Sequence, residues 1–271
     1  MTSYRGWTRP GPMPPGGVEA EEGETVEFIS GNFKIFQYAS GHRYSTDDVL
    51  VAWYGTTCAP RVERVADLGS GIGSVAIVAA WRLPGARFVT VEAQEASVRL
   101  ARKSIRYNGL QSRFTILHGD LRDPSILANE APFDLVLGSP PYFPRGTAVE
   151  AEHPQAVGAR ITTRGDIGDY EAAAERVLAP GGVFVCVAPA QSRLARLRLV
   201  RKRDVIFKEG EPPLVALFAA ARSEDIPATY ETFIEPALTI RRRDGSTEPE
   251  YSAIRMSFGF PPGNVPAREL G

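Results

Sequence analysis

Cysteine and histidine are scarce in this chain. It has two cysteines, Cys58 and Cys186, and three histidines. Two distant cysteines leave no disulfide framework, which points to the cytoplasm. The scattered histidines offer no metal-ligand spacing. Long apolar runs are also missing. LVALFAAA at 214–221 falls far short of the ~18–20 residues that a membrane-spanning helix needs. MTSYRGWTRPGPMPPGG at the start lacks the apolar centre of a secretory signal. Charge of one sign is absent too: 31 Lys and Arg against 32 Asp and Glu give a net charge of −1. Any nucleic-acid contact must therefore come from a local basic patch. What remains, 43% hydrophobic and 23% charged residues, is enough for a large core and excludes a mainly disordered or fibrous chain.

Composition divides the chain into a flexible arm (1–24), a single domain (25–260) and a flexible tail (261–271). Two β-rich stretches around Gly31-Asn32 predict a hairpin. Residues 45–54 predict a helix capped by Ser45 or Thr46, with Asp47 and Asp48 in its first turn. Strand-like runs then fall at 61–68, 87–93, 113–119, 133–139 and 182–188. Helix-like stretches lie between them at 74–82, 95–107 and 167–178. This alternation predicts an α/β fold with a mostly parallel sheet and helices on both faces. In the last third, 203–221 reads as two strands around a Gly/Pro turn, 237–245 opens as a strand, and 248–258 is short and mixed.

In such sheets ligands bind beyond the carboxyl ends of the strands. The first strand runs into Gly69-Ser70-Gly71-Ile72-Gly73, a GxGxG turn that lets a ligand approach the backbone. The second ends at Glu92, about 20 residues further on, the spacing at which a carboxylate holds ribose hydroxyls. After the third, Asp120 is either an acceptor for an adenine amino group or a turn residue. The fourth ends in Gly138-Ser139-Pro140-Pro141-Tyr142-Phe143. The two prolines fix the backbone, remove two donors, and leave carbonyls beside an aromatic ring.

In this order, the four strand ends resemble the Rossmann-like S-adenosylmethionine-dependent methyltransferases. SPPY is a form of the (Asn/Asp/Ser)-Pro-Pro-(Tyr/Phe) motif of enzymes that methylate planar amide or exocyclic amino nitrogens. GHRYSTDDVLVAWYG (41–55), ARITTRGDIGDYEAAAERVLAPGGVFVCVAP (159–189) and LTIRRRDGSTEPEYSAIRMSF (238–258) resemble segments of the bacterial valine-tRNA adenine-N6 methyltransferases. The likeness spans roughly 33–258 and implies a Rossmann-like sheet with an antiparallel C-terminal strand. It departs at Ser139, where those enzymes usually carry Asn.

What the resemblance implies is an N-methyltransferase for adenine N6 in tRNA. The alternatives are a base amine of rRNA or DNA, or a protein glutamine amide. A nicotinamide-dependent oxidoreductase would share the glycine turn and Glu92 but has no use for SPPY. By resemblance, Glu92 holds the cofactor ribose, Asp120 its adenine, and Gly69 and Gly71 admit the methionine part. Asp67 steadies the turn and Asp47 holds the methionine amino group. Ser139 and the Pro140 carbonyl accept from the target amine, and Tyr142 stacks on its ring. Phosphate contacts are expected from Arg193, Arg196, Arg198, Arg201-Lys202-Arg203 and Arg241-Arg242-Arg243.

Overall fold

The computed structural model describes residues 3–4, 6–141, 155 and 165–265. A small antiparallel pair, β1 (Ser3–Tyr4) and β2 (Trp7–Thr8), is followed by the hairpin β3 (Glu24–Phe28) and β4 (Lys34–Tyr38). Helix α1 (Thr46–Cys58) begins at Ser45. Then come β5 (Arg64–Leu68), α2 (Ser74–Arg82), β6 (Arg87–Glu92), α3 (Glu95–Tyr107), β7 (Phe114–His118) and β8 (Phe133–Gly138). Helix α4 (Ile167–Val177) precedes β9 (Leu178–Pro189), β10 (Arg198–Lys208), β11 (Val215–Ala221), β12 (Phe233–Arg241) and α5 (Pro249–Ser257).

Eight strands form one sheet in the order β12-β10-β11-β9-β8-β5-β6-β7. All run parallel except β11, which is antiparallel to both β9 and β10. The reversed strand is thus β11, and the last strand, β12, rejoins the parallel majority at the edge. Side chains of a strand alternate between faces, so a strand covered on both sides is apolar throughout. In β8, Leu135 and Leu137 join the cluster under α1 and α2, while Val136 joins the one under α4. Fully burying each such side chain stabilises the fold by ~1.5–3 kcal/mol.

The helices stop and start where local chemistry directs. Asp166 caps α4 by accepting from Gly168 N (2.8 Å) and Asp169 N (3.2 Å). Helix α3 buries Val98, Ala101 and Ile105, a stripe at helical spacing. Helix α5 occupies the stretch whose sequence looked mixed. Pro249 opens it, and Tyr251, Ile254 and Phe258 form its buried stripe.

Residues 6–24 lie along the body. Arg9 Nη1 donates to Gly31 O (3.0 Å), Asn32 Nδ2 to Gly11 O (2.7 Å), and Gly16 N to Tyr107 O (3.0 Å). Lys103 Nζ pairs with Glu21 (3.1 Å) and Glu24 (2.6 Å). The Trp81 indole fills the space beside Gly11, Gly31 and Gly259, so three separate parts of the chain meet on one ring. Among the described residues, no helix is long and apolar enough to cross a membrane, and no group of three His, Cys, Asp or Glu is placed to hold a metal.

Candidate active site

The carboxyl ends of β5, β6, β7 and β8 open onto a cleft of about 390 Å³. Beyond β5 the chain turns through Gly69 and Gly71, both with positive φ (59° and 54°). At Gly69 space is limiting as well. A Cβ there would collide with the Tyr170 hydroxyl and lie 2.8 Å from Tyr170 Cζ. Ser70 N donates to Val91 O (2.9 Å), which fastens the turn to β6. Asp67, the penultimate residue of β5, is buried, and its Oδ2 accepts from Ala76 N in α2 (3.1 Å).

Glu92 ends β6 and is also buried. Its Oε2 accepts from Gly71 N (2.9 Å) and its Oε1 from Gln94 N (2.7 Å). One carboxylate thereby joins the glycine turn to the next loop. Asp120 lies past β7 and is gripped by Arg122, with Nε 2.9 Å from Oδ1 and Nη2 2.5 Å from Oδ2. An adenine amino group approaching Asp120 meets a carboxylate already shared with a guanidinium. Ser139, Pro140 and Pro141 follow β8 and line the same cleft. Gly138 must be small, because a Cβ there would lie 2.7 Å from Tyr170 Cδ1. Tyr142 lies outside the described residues.

Asp47 lines the cleft, half-buried, and its neighbour Asp48 is the more deeply placed. Asp48 Oδ2 accepts from Ser45 N (2.9 Å) and from Ser74 Oγ (3.1 Å). Burial pushes its carboxyl up to about 6. Burial, then the neighbouring charges of Asp48 and Glu92, push Asp67 well above the ordinary carboxylate range. Asp67 Oδ1 is buried with no hydrogen-bond partner among the described residues. Three buried acids thus surround a space with one unused acceptor, and a cation is the ligand that this arrangement stabilises.

Sequence reasoning passed over Asp48, Tyr170, Arg122 and Gln155. Gln155 is buried and ties the segment before α1 to α3. Its Oε1 accepts from His42 N (2.6 Å), and its Nε2 donates to Ser97 Oγ in α3 (3.0 Å). Gly41 leaves room for it, since a Cβ there would lie 2.6 Å from Oε1. The S/T-D-D pattern at 45–48 did mark acids at a helix start, but not which of the two is the more deeply buried.

Most side chains of the expected basic patch have local partners. Arg196 pairs with Glu175 (3.4 Å), Arg201 with Glu235 (2.9 Å), Lys202 with Asp204 (2.9 Å) and Arg203 with Glu250 (2.8 Å). Arg242 pairs with Glu248 (3.0 Å) and Arg243 with Glu209 (3.7 Å). Arg198 donates to the carbonyls of Pro227 and Tyr230. Arg193 and Arg241 are exposed and make no ion pair among the described residues. Most of this positive charge is therefore neutralised locally.

S-adenosylmethionine fits this lining. It brings a sulfonium and an ammonium to the buried acids, and the turn at Gly71, where a Cβ would meet nothing within 4 Å, leaves backbone open to a ligand. Known proteins agree. Residues 54–207 match the family model of the methyltransferase small domain. A tRNA1(Val) (adenine(37)-N6)-methyltransferase from Porphyromonas gingivalis is 30% identical over 247 residues, covering 85% of this chain and 94% of that protein. A 4-amino-L-phenylalanine/4-methylamino-L-phenylalanine methyltransferase from Streptomyces pristinaespiralis is 37% identical over 129 residues, covering 45% and 42%. Among solved structures, a predicted O-methyltransferase from Agrobacterium tumefaciens superposes with a TM-score of 0.58 at 18% identity, over 80% of this chain and 97% of that one. The nicotinamide alternative has no place beside these relatives. The chain belongs to the methyltransferase small domain family and, with the tRNA1(Val) adenine enzymes among its relatives, is an S-adenosylmethionine-dependent methyltransferase.

Proposed function

We propose that this enzyme methylates an exocyclic amino nitrogen on an aromatic ring, with adenine N6 in tRNA as the leading substrate. The observation that carries the reading is the position of Ser139-Pro140-Pro141. This amine-type motif lines the same cleft as the buried acids. An amine on an aromatic ring is a weak nucleophile because its lone pair is delocalised. The Ser139 hydroxyl and the Pro140 carbonyl, both acceptors, would hold its two hydrogens and favour a pyramidal nitrogen. Pro140 and Pro141 lack N–H groups and so offer no competing donor. When bound, the cofactor supplies a methyl group activated by its sulfonium. The protein's task is alignment, which is worth up to ~7–11 kcal/mol when the geometry is ideal.

Asp67 and Asp48 would take the cofactor's ammonium. Glu92 retains lone pairs for the ribose hydroxyls beyond those given to Gly71 and Gln94. The Asp120–Arg122 pair would face the adenine. Tyr142 is proposed to stack on the target ring. A base within a structured RNA must be turned out to reach such a cleft. A tRNA substrate places the enzyme in the cytoplasm.

One observation favours a second reading. The neutralised arginines leave little free positive charge on the C-terminal flank, and one relative acts on the free aromatic amine of an amino acid. A small arylamine needs no phosphate contacts. Methyl transfer from labelled cofactor to bulk tRNA, rRNA, DNA, protein and 4-aminophenylalanine, run in parallel, separates the two. Label in tRNA digests as N6-methyladenosine supports the first reading. Label confined to the amino acid replaces it with the second, and label in protein alone overturns both.

A further inference from the structure

The cleft is lined by acids, yet the cofactor's amino-acid part also carries a carboxylate, and no residue assigned above receives it. Two hydroxyls stand at the glycine turn, on the lining of the cleft. Tyr170 reaches from the first turn of α4 to the mouth of the glycine turn, where its Oη abuts Gly69. Its side chain is buried, lines the cleft, and has no hydrogen-bond partner among the described residues. Ser70, between the two glycines, is buried as well, and its Oγ is equally unpartnered.

From this placement we infer that Tyr170 Oη, with Ser70 Oγ beside the same turn, donates to the carboxylate of the cofactor's amino-acid part. The phenol is suited to the task. Burial and the charges of Glu92 and Asp67 raise its pKa, so it stays protonated and neutral. A neutral donor can receive an anion without neutralising the acids that hold the ammonium close by. A lysine at this point would pair with Asp67 instead. The ring itself has a separate duty, packing against Gly69 and Gly138, and replacement by phenylalanine leaves that packing intact.

The assignment does not depend on the methyl acceptor. Its test is calorimetric binding of two ligands to the full chain: S-adenosylmethionine, and its decarboxylated form, which keeps the sulfonium and the ammonium. Tyr170→Phe is expected to weaken the first by roughly tenfold or more, the loss for one hydrogen bond to a charged group, and to leave the second unchanged. Ser70→Ala is expected to move in the same direction. Equal losses for both ligands, or none for either, overturn the assignment. So does a Tyr170→Phe enzyme that binds both normally but transfers methyl slowly, because that places the hydroxyl at the acceptor. Unfolding temperatures of the variants, measured without ligand, show that the fold is retained.

Discussion

Glu171 and Asp67 are both buried acids within reach of α4, and they are treated in opposite ways. Glu171 faces the crossing that leads from β9 to β10. It accepts from Ala195 N (3.0 Å), Arg196 N (2.7 Å) and Leu197 N (2.8 Å). Asp67, in the cleft, receives a single backbone donor, and its other oxygen is orphaned. The two regions at large differ in how their charges are met, although each keeps some buried polar atoms without a hydrogen-bond partner among the described residues, including Arg201 Nε and Ser252 Oγ on the flank. On the C-terminal flank, arginines find carboxylates or carbonyls. Around the cleft, acids crowd one another and hydroxyls lack partners. An unsatisfied buried group costs ~1–3 kcal/mol, so a cluster of them is maintained only where a ligand completes it. Glu171 is completed by its own chain, whereas Asp67 keeps an acceptor that a cationic ligand would complete.

Four substitutions or conditions probe that contrast. The largest effect is expected at Glu92. Glu92→Ala removes the acceptor of two backbone donors and of the proposed ribose contact. Each charged hydrogen bond is worth ~1.5–3 kcal/mol, so cofactor affinity should fall at least ~100-fold by calorimetry. Unchanged affinity in a folded variant would remove Glu92 from the site.

The next effect is pH dependence. Asp48 in the fold holds its proton up to about 6, above the ordinary carboxylate range. Between that range and pH 6 the unfolded chain binds fewer protons, so the ligand-free protein loses stability as pH rises through this window. Cofactor binding runs the other way, because an ammonium favours the ionised acids. Affinity should rise by up to ~tenfold per pH unit on approaching pH 6, and Asp67, raised well above the ordinary carboxylate range, carries the rise further. Asp48→Asn should flatten both profiles, as followed by thermal unfolding and calorimetry. Profiles that keep their slope would locate the titration elsewhere.

A smaller change is expected on the acceptor side. Ser139→Ala removes one neutral hydrogen bond, on the order of 0.5–1.5 kcal/mol, and should slow single-turnover methyl transfer roughly threefold to tenfold at saturating cofactor. A full rate would leave the Pro140 carbonyl as the sole acceptor. The smallest effect belongs to the flank. Arg242 is already paired with Glu248. Arg241→Ala should therefore lower the salt slope of tRNA binding by about one unit at most, and adding Arg242→Ala should change it little further. A loss of two units would show that the Glu248 pair opens on binding.

What the sequence disclosed follows the reach of each signal. Helices α2 and α3 and the four strand ends were legible, because periodicity and punctuation are local. The rule that ligands sit beyond parallel strand ends then gathered Gly69, Glu92, Asp120 and Ser139 into one place. Illegible were the features decided by rotation or by distant contacts. Whether Asp47 or Asp48 is the more deeply buried depends on where Ser74 of α2 meets α1. Tyr170 enters the site from a helix that follows a different strand. The arginine clusters looked like a patch because their partners, Glu235 for Arg201 and Glu250 for Arg203, lie far along the chain. Helix α5 hid because three apolar residues in so short a stretch fit several patterns.

Trp81 gives the molecule an internal gauge. Its indole is shared by Gly11 near the start, Gly31 at the hairpin tip and Gly259 after α5, and Phe33 meets it edge-on at 5.5 Å. The other tryptophans, Trp7 and Trp53, lie in different surroundings, the second against Tyr54 at 5.9 Å. In a background with both replaced by phenylalanine, fluorescence would report on this junction alone. A red shift that precedes the loss of far-ultraviolet circular dichroism would register the N-terminal segment lifting from an intact sheet, so local undocking and global unfolding could be read separately in one sample.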